Sequence, residues 1–134
     1  MKEYLFIYGT LLPDHAPAEI GGIIGQLRPV GPASVPGYLY DFGQYPGAVL
    51  NNSARTRIAG QVFELPQDGG VLKALDSYEG YKPDDLQHSL FIRERAMIAL
   101  DDGEILSCWI YLYNRDPGTA PLVSGGDYTK SRAA

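Results

Sequence analysis

The chain has 134 residues, 45% of them hydrophobic and 20% charged, which suits one globular domain built on a single core. Eleven basic against sixteen acidic side chains give a net charge of −5, which argues against nucleic acid or an anionic membrane as a partner. The lone cysteine, Cys108, precludes an intramolecular disulfide and a thiolate metal site.

The apolar run after Lys2 is too short for a signal peptide, and nothing approaches the roughly 20 apolar residues of a membrane span. One cytosolic domain over residues 1–134 is the expectation. Ten prolines and sixteen glycines leave few windows for long helices, so strands with irregular connections should dominate. Residues 4–8 read as a buried first strand that runs into Tyr8-Gly9-Thr10-Leu11-Leu12 ahead of Pro13. That loop is either an ordinary turn or a set of backbone N–H groups, released from the sheet, that can bind a carboxylate or a developing oxyanion.

Residues 14–25 offer a short helix weakened by Gly21, Gly22 and Gly25. Pro29 and Pro32 predict that any strand over residues 26–35 lies at an edge or is broken. Short strands follow at residues 38–40 and 48–50, around the turn Tyr45-Pro46-Gly47, and a longer one at residues 58–65. A helix should run from Asp68 or Gly69 to Glu79 and end on Gly80 as a left-handed cap. Residues 90–100 and 105–113 are the clearest strands, joined by Asp101-Asp102-Gly103-Glu104. A turn centred between residues 102 and 103 sets Tyr111 opposite Glu94 and Tyr113 opposite Ile92. After Asn114 the chain is turn-like and wraps as a tail. About six strands and one or two helices fit an α+β fold with a closed or nearly closed sheet and a helix against it.

Glu79 is the anomaly. At 100° per residue it shares a face with Leu72 and Leu75, while Lys73 and Asp76 fall on the opposite, solvent side. If the carboxylate points inward, partial burial and the negative end of the helix both disfavour its ionised form, which suits a general acid or base near neutrality. If the last turn lies at the rim, the carboxylate is simply in water.

The other candidates read as structural. His15 and His88 lie in separate polar loops, and Cys108 sits in an apolar strand as a small core residue. No nucleophile elbow, phosphate-binding glycine loop or metal-ligand spacing is present, so no metal and no nucleotide is called for. Arg93 and Arg95 share one strand face opposite to Ile92, Ala96 and Ile98, as a solvated face or as partners of nearby carboxylates. Trp109, Tyr111 and Tyr113 form an aromatic stripe that is core or, through its hydroxyls, pocket wall.

Taken together, the ordered set resembles the gamma-glutamylcyclotransferase-like family. It comprises Tyr8-Gly9-Thr10-Leu11, Pro36-Gly37-Tyr38-Leu39-Tyr40 with Tyr45-Pro46-Gly47, Gly60-Gln61-Val62-Phe63, Leu75-Asp76-Ser77-Tyr78-Glu79-Gly80, Phe91-x-Arg93, Trp109-x-Tyr111 and Ser124-Gly125-Gly126-Asp127-Tyr128. The resemblance implies a small mixed β-barrel flanked by helices. It also implies a cofactor-free enzyme that cyclises a gamma-glutamyl amine or peptide to 5-oxoproline. Carried over by position, Tyr8, Gly9, Thr10 and Leu11 bind the glutamyl group and Glu79 moves the proton, with Tyr45 and Tyr113 as candidate pocket lining. A binding module that holds the same ligand without turnover is the alternative. Leu12-Pro13-Asp14-His15 stands where many relatives have a basic, Gly-containing continuation, which leaves the leaving group open.

Overall fold

The computed structural model describes residues 2–9, 18–67 and 69–128. In chain order they form β1 (Tyr4–Ile7), α1 (Ala18–Ile24), β2 (Arg28–Asp41), β3 (Pro46–Leu50), β4 (Arg57–Glu64), α2 (Gly70–Glu79), β5 (Phe91–Leu100) and β6 (Ile105–Tyr113), with short 3-10 turns at Leu86–His88 and Ser124–Gly126. The strands lie in the order β3-β2-β4-β1-β6-β5, and β5 returns to β2 through Ala33 with Leu100 and Ser34 with Ala99. Five strands therefore close a barrel, with β3 appended to β2. The β1–β6 pair is parallel and the others are antiparallel, so the barrel is mixed, as the family resemblance implied.

Closure gives the period-two alternation of each strand two apolar destinations. Phe6, Val35, Ile58, Val62, Ile98, Cys108 and Ile110 fill the barrel interior. Leu5, Ile7, Phe63 and Tyr111 point outward and are covered by Ile20 and Ile24 of α1 and Val71 and Leu75 of α2. This double burial explains why β1 is apolar at every position. Burying a side chain such as Phe6 or Ile110 completely contributes roughly 1.5–3 kcal/mol.

Two expectations need correction. The strand predicted to be broken at residues 26–35 is the long, continuous β2. Its prolines fit because β5 pairs only with Ala33 and Ser34, and β3 pairs only from Gly37 onward. Pro29 stands at a register shift against β4, so the missing N–H groups cost few ladder bonds. The hairpin register is also one residue from that predicted: Arg93 pairs with Tyr111, and Phe91 with Tyr113. Three residues, Asp101 to Gly103, form the loop, which Leu100 and Glu104 close by a 2.8 Å hydrogen bond. Gly103 supplies the positive φ of 97° that this turn requires.

The first helix is described only from Ala18, so the expected start at Asp14 lies outside the described residues. The tail does wrap. Val123 donates to the Leu39 carbonyl at 2.7 Å, and Val123 and Tyr128 join the barrel core. Among the described residues, no helix is long and apolar enough to cross a membrane.

Candidate active site

The site lies at the barrel end where β1 and β6 finish and β3 and β5 begin. Parallel pairing of β1 with β6 amounts to one register pair, Leu5 with Trp109. Beyond it the Tyr8 side chain takes over: its hydroxyl donates to the Tyr111 carbonyl and accepts from the Ala48 N–H at 3.3 Å. Tyr8 thus ties β1, β6 and β3 together. The next residue is pressed close to β3. A Cβ on Gly9 would stand 2.5 Å from Cγ of Pro46, so only glycine fits there without a shift. Thr10 and Leu11, the remainder of the predicted binding loop, lie outside the described residues.

Glu79 is the last residue of α2. Gly80, at φ 74°, caps the helix, with its own N–H on the Ser77 carbonyl at 3.2 Å and the Tyr81 N–H on the Asp76 carbonyl at 2.9 Å. This double closure turns the chain back at once and fixes the last helical residue. Leu75 on the same face is fully buried, whereas Glu79 keeps partial exposure. Burial alone raises its carboxyl from the ordinary 4.5 to about 7. Its negative charge reaches Tyr8, whose phenol is pushed far above the usual range first by burial and then by Glu79. Tyr111 is raised in the same way by burial and by its hydrogen bond to Asp76. Both phenols stay protonated as Glu79 titrates.

The structure therefore brings Tyr8, Gly9 and Glu79 to one end of the barrel. Tyr45 and Tyr113 belong to the adjoining aromatic wall. Phe42 stacks on Tyr113 at 4.3 Å between centroids, and Phe91 lies edge-on to both Tyr45 and Tyr113 at 5.8 and 5.7 Å. Of the other candidates, Cys108 is buried in the barrel, and exposed His88 bonds Asp85 at 2.8 Å.

Asp76 is misplaced in the sequence reading. It is only 8% exposed and faces the barrel, not solvent. Arg93 grips it through Nε to Oδ1 at 2.7 Å and Nη2 to Oδ2 at 3.0 Å, and the Tyr111 hydroxyl donates to Oδ1 at 2.7 Å. At 100° per residue Asp76 stands only about 60° from Glu79 and about 40° from Leu72, so periodicity itself draws it towards the apolar face. What periodicity cannot show is the partners that neutralise it, which lie on β5 and β6. The signal was in the short motifs Phe91-x-Arg93 and Trp109-x-Tyr111, which the corrected register sets side by side. A shallow cavity of about 310 Å³ flanks the C-terminal end of α2, with Lys73, Asp76, Ser77, Tyr81 and Lys82 in its walls; Glu79 does not line it.

The family model for gamma-glutamyl cyclotransferase, AIG2-like, matches residues 5–130. The chain belongs to this family. A comparison with curated proteins gives no match. Among solved structures, an AIG2-like protein from Mus musculus is similar at TM-score 0.73 and 18% identity, over 95% of this chain and 88% of that one. The protein ytfP from Escherichia coli is similar at TM-score 0.65 and 25% identity, over 98% and 99% of the two chains. YkqA from Bacillus subtilis gives TM-score 0.72 and 22% identity over 98% of this chain, which spans only 41% of YkqA. The small α+β barrel with its two helices is thus the fold of the AIG2-like gamma-glutamyl cyclotransferases.

Proposed function

We propose that this gamma-glutamyl cyclotransferase-like protein converts a gamma-glutamyl amine or gamma-glutamyl peptide to 5-oxoproline and the free amine or amino acid, in the cytoplasm. The observation that carries the reading is Glu79: a carboxyl raised by burial to about 7, at the capped end of α2, within electrostatic reach of Tyr8 where the first-strand loop begins.

The chemistry follows from those parts. The α-ammonium of the glutamyl group gives a proton to ionised Glu79, and the freed amine attacks the γ-carbonyl carbon. The C–N bond of the ring forms, and the carbonyl oxygen takes the negative charge of the tetrahedral intermediate. Backbone N–H groups of residues 8–11 would hold the α-carboxylate and that oxyanion. Glu79 hands that proton to the leaving nitrogen as collapse re-forms the carbonyl and breaks the bond to it. The ring nitrogen then sheds its second proton through Glu79 to the departing amine, which leaves as ammonium. The substrate's own amine is the nucleophile, so neither a protein nucleophile nor a cofactor is needed for the bonds to balance. Holding amine and carbonyl in contact is itself a large part of the acceleration.

The test is 5-oxoproline release from a panel of gamma-glutamyl amines and peptides. Glu79→Gln should lower kcat/KM by about 10²–10⁴ while the chain still folds. Unchanged turnover in that variant removes Glu79 from the role. Calorimetric binding of the same compounds with no product from the unaltered protein would make this a binding module with the same pocket.

A further inference from the structure

Beside Glu79 lies a buried charged group that the proposed reaction does not use. Both oxygens of Asp76 are occupied, by Arg93 and by the Tyr111 hydroxyl. Arg93 is itself held flat, its guanidinium carbon 4.2 Å from the Trp109 ring centroid and 5.6 Å from that of Tyr81. Desolvation alone would weaken the charge on Arg93, but the Asp76 hydrogen bonds and charge more than offset it. A buried ion pair is seldom better for stability than apolar packing of the same volume, so one here calls for another use.

Its position supplies one. Asp76 stands at i−3 from Glu79 on α2, one turn back on neighbouring faces. The Tyr111 it grips offers its carbonyl to the Tyr8 hydroxyl. A single chain of contacts thus runs from Arg93 through Asp76 and Tyr111 to Tyr8, and Glu79 sits at the end of the helix that this chain anchors. We propose that Asp76 and Arg93 are positioning residues, a charge-neutral clasp that fixes the last turn of α2 against β6 and so holds the Glu79 carboxylate beside Tyr8.

The phenols of Tyr8, from the end of β1, and Tyr111, from β6, feel the Glu79 charge and stay neutral. Asp76 and Arg93 act on Glu79 through the helix they hold: with the clasp open, the last turn of α2 is released from the barrel, and the carboxyl enters water and titrates lower. The inference rests on the proposed function for its effect on rate, but its measurement needs no substrate.

The experiment is a carbon-13 NMR titration of the Glu79 side-chain carboxyl in the full chain. Asp76→Asn and Arg93→Met each open the clasp and should lower the midpoint from about 7 towards the ordinary carboxyl value, and the double variant should do the same. Arg93→Lys, which keeps a charge opposite Asp76, should stay nearer the unaltered midpoint. Should Asp76→Asn fail to fold, the contrast between Arg93→Met and Arg93→Lys decides. A merely structural pair would alter thermal stability and leave the midpoints in place, which overturns the clasp. So does a midpoint that rises in Arg93→Met, which would mean that the carboxyl had kept its place beside an unpaired Asp76. In 5-oxoproline assays the single variants should also lower kcat at least tenfold. Absence of product from every substrate would defeat the proposed function and leave the titration result standing.

Discussion

Replacing Glu79 by Gln should stabilise the protein at alkaline pH, and by an amount the structure sets. The folded chain holds the Glu79 proton up to about pH 7, whereas the unfolded chain releases it near the ordinary 4.5. Between those values the folded state binds more protons, so stability falls as pH rises and levels off above about 7. The rise from 4.5 to about 7 corresponds at most to roughly 3 kcal/mol, at about 1.36 kcal/mol per pH unit. Partial exposure of the side chain reduces this to about 1–3 kcal/mol. Gln fills nearly the same volume and carries no titrating proton. Urea unfolding of both proteins at pH 5, 6.5 and 8.5 isolates the contribution, because every other group cancels in the difference. The Gln variant should gain little at pH 5 and about 1–3 kcal/mol at pH 8.5. A difference that stays flat with pH, or a variant less stable at pH 8.5, would show that Glu79 is solvated and that the reasoning on its proton is wrong.

If Glu79 accepts the substrate proton, kcat/KM should climb through a midpoint of about 7, low on the acid side and level above, in a pH–rate profile of 5-oxoproline release. Tyr8→Phe strips the Ala48 N–H of its acceptor and the Tyr111 carbonyl of its donor, and should cost about 1–3 kcal/mol in urea unfolding. Gly9→Ala drives a methyl group into Pro46 and should cost a similar 1–3 kcal/mol and weaken 5-oxoproline binding, as read by calorimetry. Cys108 is buried and its thiol is pushed up to about 11, so a colorimetric disulfide reagent should label it only after unfolding.

Much of this molecule was legible in residue order alone. The alternation of β5 and β6, the Gly80 cap and the inward stripe of α2 are local properties, and local properties survive folding. Glu79 could be singled out because a carboxylate in line with Leu72 and Leu75 is an exception to its own helix. Asp76, about 60° from Glu79 on the same helix, was open to the same argument; what residue order did not reveal is its partners Arg93 and Tyr111, which join it only when β5 and β6 pack under α2. β2 was missed for a related reason. A proline breaks a strand only when a neighbour needs its N–H, and the number of neighbours depends on barrel closure. The register of the β5–β6 hairpin could have been caught. Setting Glu94 opposite Tyr111 puts apolar Leu112 and Ile110 opposite Arg93 and Arg95, since opposed residues in an antiparallel pair share a side.

That hairpin turn has a further consequence. Asp101 to Gly103 are exposed and lie eight residues of strand from Arg93, about 26 Å at 3.3 Å per residue. Surface loops of this kind usually absorb insertions, yet this one acts as a phase setting for chemistry at the far end of the barrel. An odd slip between the two strands would turn Arg93 and Arg95 inward among Ile98, Cys108 and Ile110. An even slip would keep the faces but carry Arg93 along to Trp109 or Tyr113, out of step with Asp76. Loop length at a site that touches no substrate is thereby under the same constraint as the residues that do.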